Sequence, residues 1–215
     1  METKSILHMF NPRFLIVSLG NQAPYYDCLH SAGHFALASL QKLLSPSQPS
    51  FRSERYGGKS CLASAGHIYT MVQSPTQMNV SGPWVARTWK EMLQQHRLKP
   101  SELSLVLVHD DLEERLGDVK IRKWNASHRG HNGVKSINAN IKPADFPGAY
   151  WARISVGIDR PDGRDRTSVS DYVLKKFTRY QKDVIDTEVG PKVFECLQEI
   201  QESWGREYNK TAPKP

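Results

Sequence analysis

The feature that most limits what this chain can fold into is a set of short, uninterrupted apolar runs. Residues 14–19 (FLIVSL) and 105–109 (LVLVH) show no alternation of polar and apolar positions. Runs of this length, too short for helices, suit strands buried on both faces of a sheet. Residues 67–72 and 152–158 (ARISVGI) also read as strands, and 119–123 (VKIRK) alternates apolar and basic side chains as a half-exposed strand does. Between these runs, apolar residues recur at helical spacing over 34–44. Pro83 suits a helix's first turn and predicts a helix to about His96, and Gly130–Gly133 opens another. Thr178 with Gln181 three residues on is a capping-box signature, starting a helical stretch towards Trp204 that Gly190-Pro191 is placed to interrupt. Strands alternating with helices predict an α/β fold: a single-domain three-layer α/β/α sandwich with a mostly parallel mixed sheet. Residues 45–60, rich in Ser, Pro, Gly and Arg, read as a mobile surface loop. The expected domain is 14–207, with an N-terminal extension (1–13) and a flexible basic tail (208–215).

Composition removes several function classes. Cys28, Cys61 and Cys196 are widely spaced and form no CxxC pair, which argues against a disulfide framework, a zinc knuckle or a thioredoxin-like centre. A reducing compartment is expected, the cytoplasm first and the mitochondrial matrix as the alternative, since residues 1–13 are poor in acids. No apolar run approaches the ~18–20 residues of a membrane helix, so no membrane partner is expected. Lys and Arg total 29 against 22 acids, a net charge of +7. That balance suits a polyanion such as RNA, although solubility alone accounts for it equally well. There is no GxGxxG or GxxxxGK[ST] phosphate loop, so a nucleotide-binding module is disfavoured.

Polar residues gather just past the predicted strand ends. Gly20-Asn21 follows the first strand with His30 nearby; residues 76–82 (TQMNVSG) follow the second; His109-Asp110-Asp111 ends the third; and 125–133 (NASHRGHNG) follows the basic strand. In open α/β sheets the ligand crevice lies beyond the carboxyl ends of the strands, which makes these segments neighbours in space. A histidine with an unperturbed pKa near ~6.5 suits a general base at neutral pH. A carboxylate accepting one imidazole N–H fixes the tautomer and stabilises the imidazolium that forms. Asn side chains offer donors and an acceptor without charge. Turn formation and a strand-end cap are the structural alternatives for the same Asn and Asp residues.

The chain resembles the bacterial-type peptidyl-tRNA hydrolases. The matching stretches are LIVSLGN with HSAG (15–21, 30–33), MNVSG (78–82), LVLVHDDLE (105–113), RGHNGVKSI (129–137), RISVGI (153–158) and DYVLKKF (171–177), in the family's order. The resemblance implies the family's α/β/α fold and hydrolysis of the ester joining a peptide to the terminal ribose of tRNA, with His30 as general base, Asp110 as its partner and no covalent intermediate. It assigns Asn21 to the catalytic set and to telling blocked from free aminoacyl ends. Tyr26, Gln77, Met78, Asn79, His131 and Asn132 fall in substrate-binding positions. His131, Lys123 and Arg153 match positions linked to the tRNA acceptor end, with Arg122, Arg129 and Lys135 extending the basic stretch. No cofactor or metal is implied: His109, His128 and His131 lack standard ligand spacing. A monomer without an obligatory protein partner is expected.

Departures from the family pattern concern the peptide side. GNQA (20–23) replaces GNPG, and the loop to His30 is one residue shorter, so Tyr26 is the better match to the family's substrate-site tyrosine, with Tyr25 as rival. Gln77 stands where an aromatic is usual, and Arg129 replaces a glycine. Trp124 is a candidate for stacking a base or for packing, and Cys28 is a rival nucleophile beside His30. A non-catalytic RNA-binding scaffold on the same fold, like the family's splicing-factor relatives, is the alternative function.

Overall fold

In the computed structural model, residue 10 and residues 12–211 are described. One seven-stranded mixed sheet runs through the molecule in the order β2-β3-β4-β1-β5-β7-β6. At its centre β4 (Tyr69–Gln73), β1 (Arg13–Ser18), β5 (Leu103–Asp111) and β7 (Trp151–Gly157) are mutually parallel. The flanks are antiparallel: β3 (Lys59–Ala65) on β4, β2 (Arg52–Tyr56) on β3, and β6 (Val119–Lys123) on β7. The apolar runs form the central strands, and β5, buried at every position, carries on through Asp110 and Asp111.

Alternation along each strand feeds two cores, because successive side chains leave a strand on opposite faces. Phe14 and Ile16 of β1, with Val106 and Val108 of β5, pack beneath α1 (Ala32–Leu43) and α6 (Gly190–Thr211), meeting Leu37, Leu40, Val193 and Leu197. Leu15, Val17, Leu105 and Leu107 face the other way, onto Val85 and Trp89 of α2 (Ser81–His96) and Val134 and Ile137 of α3 (Asn132–Asn140). This is the expected three-layer arrangement. No helix among the described residues is long and apolar enough to cross a membrane.

Three local expectations need correction. Most of the supposed loop 45–60 is a β-hairpin: Tyr56 pairs with Lys59 across Gly57 and Gly58, at φ 54° and 76°. Two consecutive left-handed residues make the tight turn whose twist matches paired strands, and glycine reaches that conformation without strain. Its strand β2 is polar because it is an exposed edge. Gly190-Pro191 does not end the C-terminal helix. A π-helical turn, Ile185–Val189, joins α5 (Arg179–Val184) to α6, and the Gly190 amide donates to Ser39 Oγ of α1 at 3.1 Å. Residues 208–211 of the supposed loose tail continue α6; residues 212–215, 1–9 and 11 lie outside the described residues. The Thr178–Gln181 capping box forms as expected at the start of α5.

Candidate active site

The carboxyl ends of β1 and β5 open into a cleft of about 1010 Å³, lined by His30, Asp110, Asn21, Asn79, His131 and Asn132 together with several arginines. His30 sits in a short 3-10 turn, Leu29–Ser31, entering α1. Gly33 lets that turn approach the sheet: a Cβ there would lie 2.5 Å from the Val108 carbonyl oxygen and 2.6 Å from that of Leu19. The turn is held from behind by the segment after α4 (Arg166–Val173), where the Leu29 amide donates to the Lys175 carbonyl at 3.0 Å and the Phe177 amide to that of Asp27 at 3.0 Å.

Asp110, 4% exposed, receives two imidazoles on one carboxylate oxygen: His30 Nδ1 at 2.8 Å and His131 Nε2 at 3.0 Å. The helix start fixes the proton positions. His131 is the N-cap of α3, and its Nδ1 accepts from the amides of Gly133 (3.1 Å) and Val134 (3.3 Å). Its proton is therefore on Nε2, donated to Asp110. The carboxylate is acceptor-only, so His30 donates through Nδ1–H and keeps Nε2 as an acceptor. That Nε2 makes no hydrogen bond to protein among the described residues, and the ring lines the cleft.

The electrostatics agree with this arrangement. Burial pushes the Asp110 carboxyl pKa up, but electrostatic attraction to the His30 and His131 rings and the hydrogen bonds they donate outweigh it and hold the group well below the usual carboxylate range. Burial lowers the His30 pKa, and the Asp110 charge and hydrogen bond more than reverse that, so the net shift is upward from 6.5. The ligand atoms of His30, Asp110 and His131 lie within 4.8 Å of one another, a closeness that the two hydrogen bonds account for. Among the described residues, His109 belongs to no such set. Burial pushes it down to about 3, and its Nδ1 donates to the Asp110 carbonyl at 2.7 Å.

The other sequence-predicted residues divide. Asn21, Met78, Asn79 and Asn132 line the cleft with the histidines. Asn21 is fixed at both ends: its backbone amide donates to Ser31 Oγ at 2.9 Å and its side-chain amide to Cys28 Sγ at 3.3 Å. Cys28 is buried, so it is a support for Asn21 rather than an open nucleophile. Tyr26 lines a second cavity, of about 290 Å³, which Asn21 also borders. Its hydroxyl donates to Gln73 Oε1 at 3.0 Å and its ring stacks on His34, whereas Tyr25 is exposed. Gln77 is exposed and borders neither cavity, as is Lys123. Trp124 packs in the core between sheet and helices.

Arg153 overturns the picture of a basic surface at that position. It is 1% exposed, and its guanidinium donates to the carbonyls of Lys123, Ala126 and Ser127, anchoring the loop between β6 and α3. Arg129 lines the cleft but is matched by Asp111 (3.2 Å) and Glu114 (3.3 Å), as is Arg122 by the same two acids. Sequence reasoning missed the bond of His131 to Asp110. The signal available was a histidine immediately before a helix start, where an acceptor is needed for free amides.

Comparison with known proteins agrees with this architecture. Residues 15–214 match the family profile described as peptidyl-tRNA hydrolase. A probable peptidyl-tRNA hydrolase of Schizosaccharomyces pombe is 37% identical over 133 residues, 61% of each chain. The peptidyl-tRNA hydrolase of Brevibacillus brevis is 33% identical over 194 residues, 88% of this chain and 93% of that one. The crystal structure of peptidyl-tRNA hydrolase from Acinetobacter baumannii superposes with a TM-score of 0.61 at 20% identity, covering 90% of this chain and 96% of the other, and so shares the fold. On its sequence, this chain belongs to the peptidyl-tRNA hydrolase family.

Proposed function

We propose that this chain hydrolyses the ester between a peptide, or an N-blocked amino acid, and the terminal ribose of tRNA, with His30 as general base. The observation that carries the reading is the shared Asp110 oxygen, which leaves His30 Nε2 as an acceptor facing the cleft. A water lodged against Nε2 gives up its proton as its oxygen attacks the ester carbonyl. The imidazolium that forms is stabilised by Asp110. The proton then passes to the departing ribose oxygen, releasing tRNA and peptide. The exposed amides of Asn79 and Asn132 bind the peptide main chain and the developing oxyanion, which suits a substrate of any side-chain identity. Tyr26 and the smaller cavity beyond Asn21 take the peptide side. The enzyme works as a monomer, in the cytoplasm or the mitochondrial matrix. A non-catalytic RNA-binding scaffold has no use for an imidazole whose tautomer is set by two further residues. Turnover of N-acetyl-aminoacyl-tRNA by the purified chain tests the reading; binding without turnover would return the scaffold.

A further inference from the structure

Seven Lys and Arg side chains line the cleft, and their partners divide them into two groups. Arg122 and Arg129 are paired with Asp111 and Glu114, Glu114 also taking Lys120; Arg160 pairs with Glu113, and Arg153 is buried against backbone carbonyls. A phosphate reaching Arg122 or Arg129 meets two carboxylates already in place and must displace them. Lys135, Arg164 and Arg166 are different. All three are exposed, line the same cleft as His30, and make no ion pair among the described residues. Lys135 lies four residues along α3 from the N-cap His131, on the same side of the helix. Arg164 and Arg166 flank Asp165, whose carboxylate is taken up by the amides of Thr167 and Ser168 and the Ser168 hydroxyl at the start of α4. Its charge is thus directed at its own helix.

We propose that Lys135, Arg164 and Arg166 are the phosphate-binding set of the cleft, holding the backbone of the tRNA acceptor end while the ester lies at His30. The assignment rests on tRNA being the substrate that His30 acts on. It gives Arg129 and Arg153, which the family resemblance places with the tRNA contacts, the task of shaping the cleft wall instead. Free cations gain a phosphate without losing a partner, and each such contact releases counterions, adding about 0.7–0.9 to the salt slope of binding.

The test is binding of deacylated tRNA, followed by fluorescence polarisation across a salt series, for the wild type, K135Q/R164Q/R166Q and R129Q, with turnover of N-acetyl-aminoacyl-tRNA measured alongside. The triple variant is expected to bind at least ~10-fold more weakly at low salt, with a log K against log salt slope reduced by about 2. R129Q is expected to change that slope by less than 1. Unchanged affinity and slope in the triple variant overturns the proposal, as does a larger slope change in R129Q. Absent turnover with the binding difference intact counts against the hydrolytic reading and leaves the phosphate assignment standing.

Discussion

Asp110→Asn separates what the carboxylate charge does from what its hydrogen bonds do. The amide oxygen still accepts from His30, so the ring keeps its orientation while the counter-charge is lost. His30 Nδ1 lies 2.8 Å from an oxygen of a side chain that is only 3% exposed, so water screens the pair poorly. With charge centres ~4 Å apart and an effective dielectric of ~20, the attraction is about 4 kcal/mol. At 1.36 kcal/mol per unit, that is ~3 pKa units of support for the imidazolium. Two consequences follow for the rate. The imidazolium forming as water is deprotonated loses most of that stabilisation, so the plateau kcat/KM should fall ~10²–10³-fold, allowing for the retained hydrogen bond. The pH dependence should also move. The base works deprotonated, so activity rises with pH through the His30 pKa, which Asp110 raises above 6.5 in the wild type. Without the charge, burial acts unopposed and the rising limb should shift below pH 6.5. The assay is single-turnover hydrolysis of N-acetyl-aminoacyl-tRNA from pH 5 to 8.5 at constant ionic strength. A limb that stays in place or moves upward, or a plateau within tenfold of the wild type, would refute the reasoning.

Other perturbations probe the supporting residues. His131→Asn keeps an N-cap for α3 but removes the second donor to Asp110; it should melt close to the wild type with kcat about tenfold lower, whereas His131→Ala should also cost ~1 kcal/mol in stability by denaturant titration. Cys28→Ala removes the acceptor that orients the Asn21 amide, so kcat/KM should fall several-fold while the pH limb set by His30 stays put; a shifted limb would show that the damage reaches the base itself. Acid should weaken the fold well above the carboxylate range. His34 and His109 are buried and held near pKa 3, so below their unfolded value of 6.5 only the unfolded chain takes up their protons. Stability present above pH 6.5 is then lost as pH falls, by up to ~4 kcal/mol for the two at pH 5, partly offset by the raised His30, whose contribution has the opposite sign. Thermal melts at pH 7 and pH 5 check this, and an equal or higher Tm at pH 5 would contradict it.

What the sequence made legible follows from where physical signals are local. The central strands announce themselves because burial on both faces excludes polar residues, and the capping box of α5 involves residues three apart. His30 and Asp110, eighty residues apart, are connected by the rule that ligands gather at strand ends and by the family resemblance. The hairpin of β2 and β3 was hidden because an exposed edge strand such as RSERY carries no apolar alternation; the Gly57-Gly58 pair was its one signal. The resemblance places Arg153 with the tRNA contacts, and no local pattern records that backbone carbonyls of the neighbouring loop satisfy its buried guanidinium. The pairing of Arg122 and Arg129 with Asp111 and Glu114 depends on how β5 and β6 bring three chain segments together, which no local pattern records.

The central claim is that the free nitrogen of His30 takes the proton from the attacking water. Single-turnover peptide release from N-acetyl-aminoacyl-tRNA by the wild type and His30→Ala, with deacylated tRNA binding measured on the same preparations, tests it most directly. The account predicts a loss of at least ~10²-fold in rate with tRNA affinity retained. A His30→Ala enzyme that releases peptide within about threefold of the wild-type rate would contradict it.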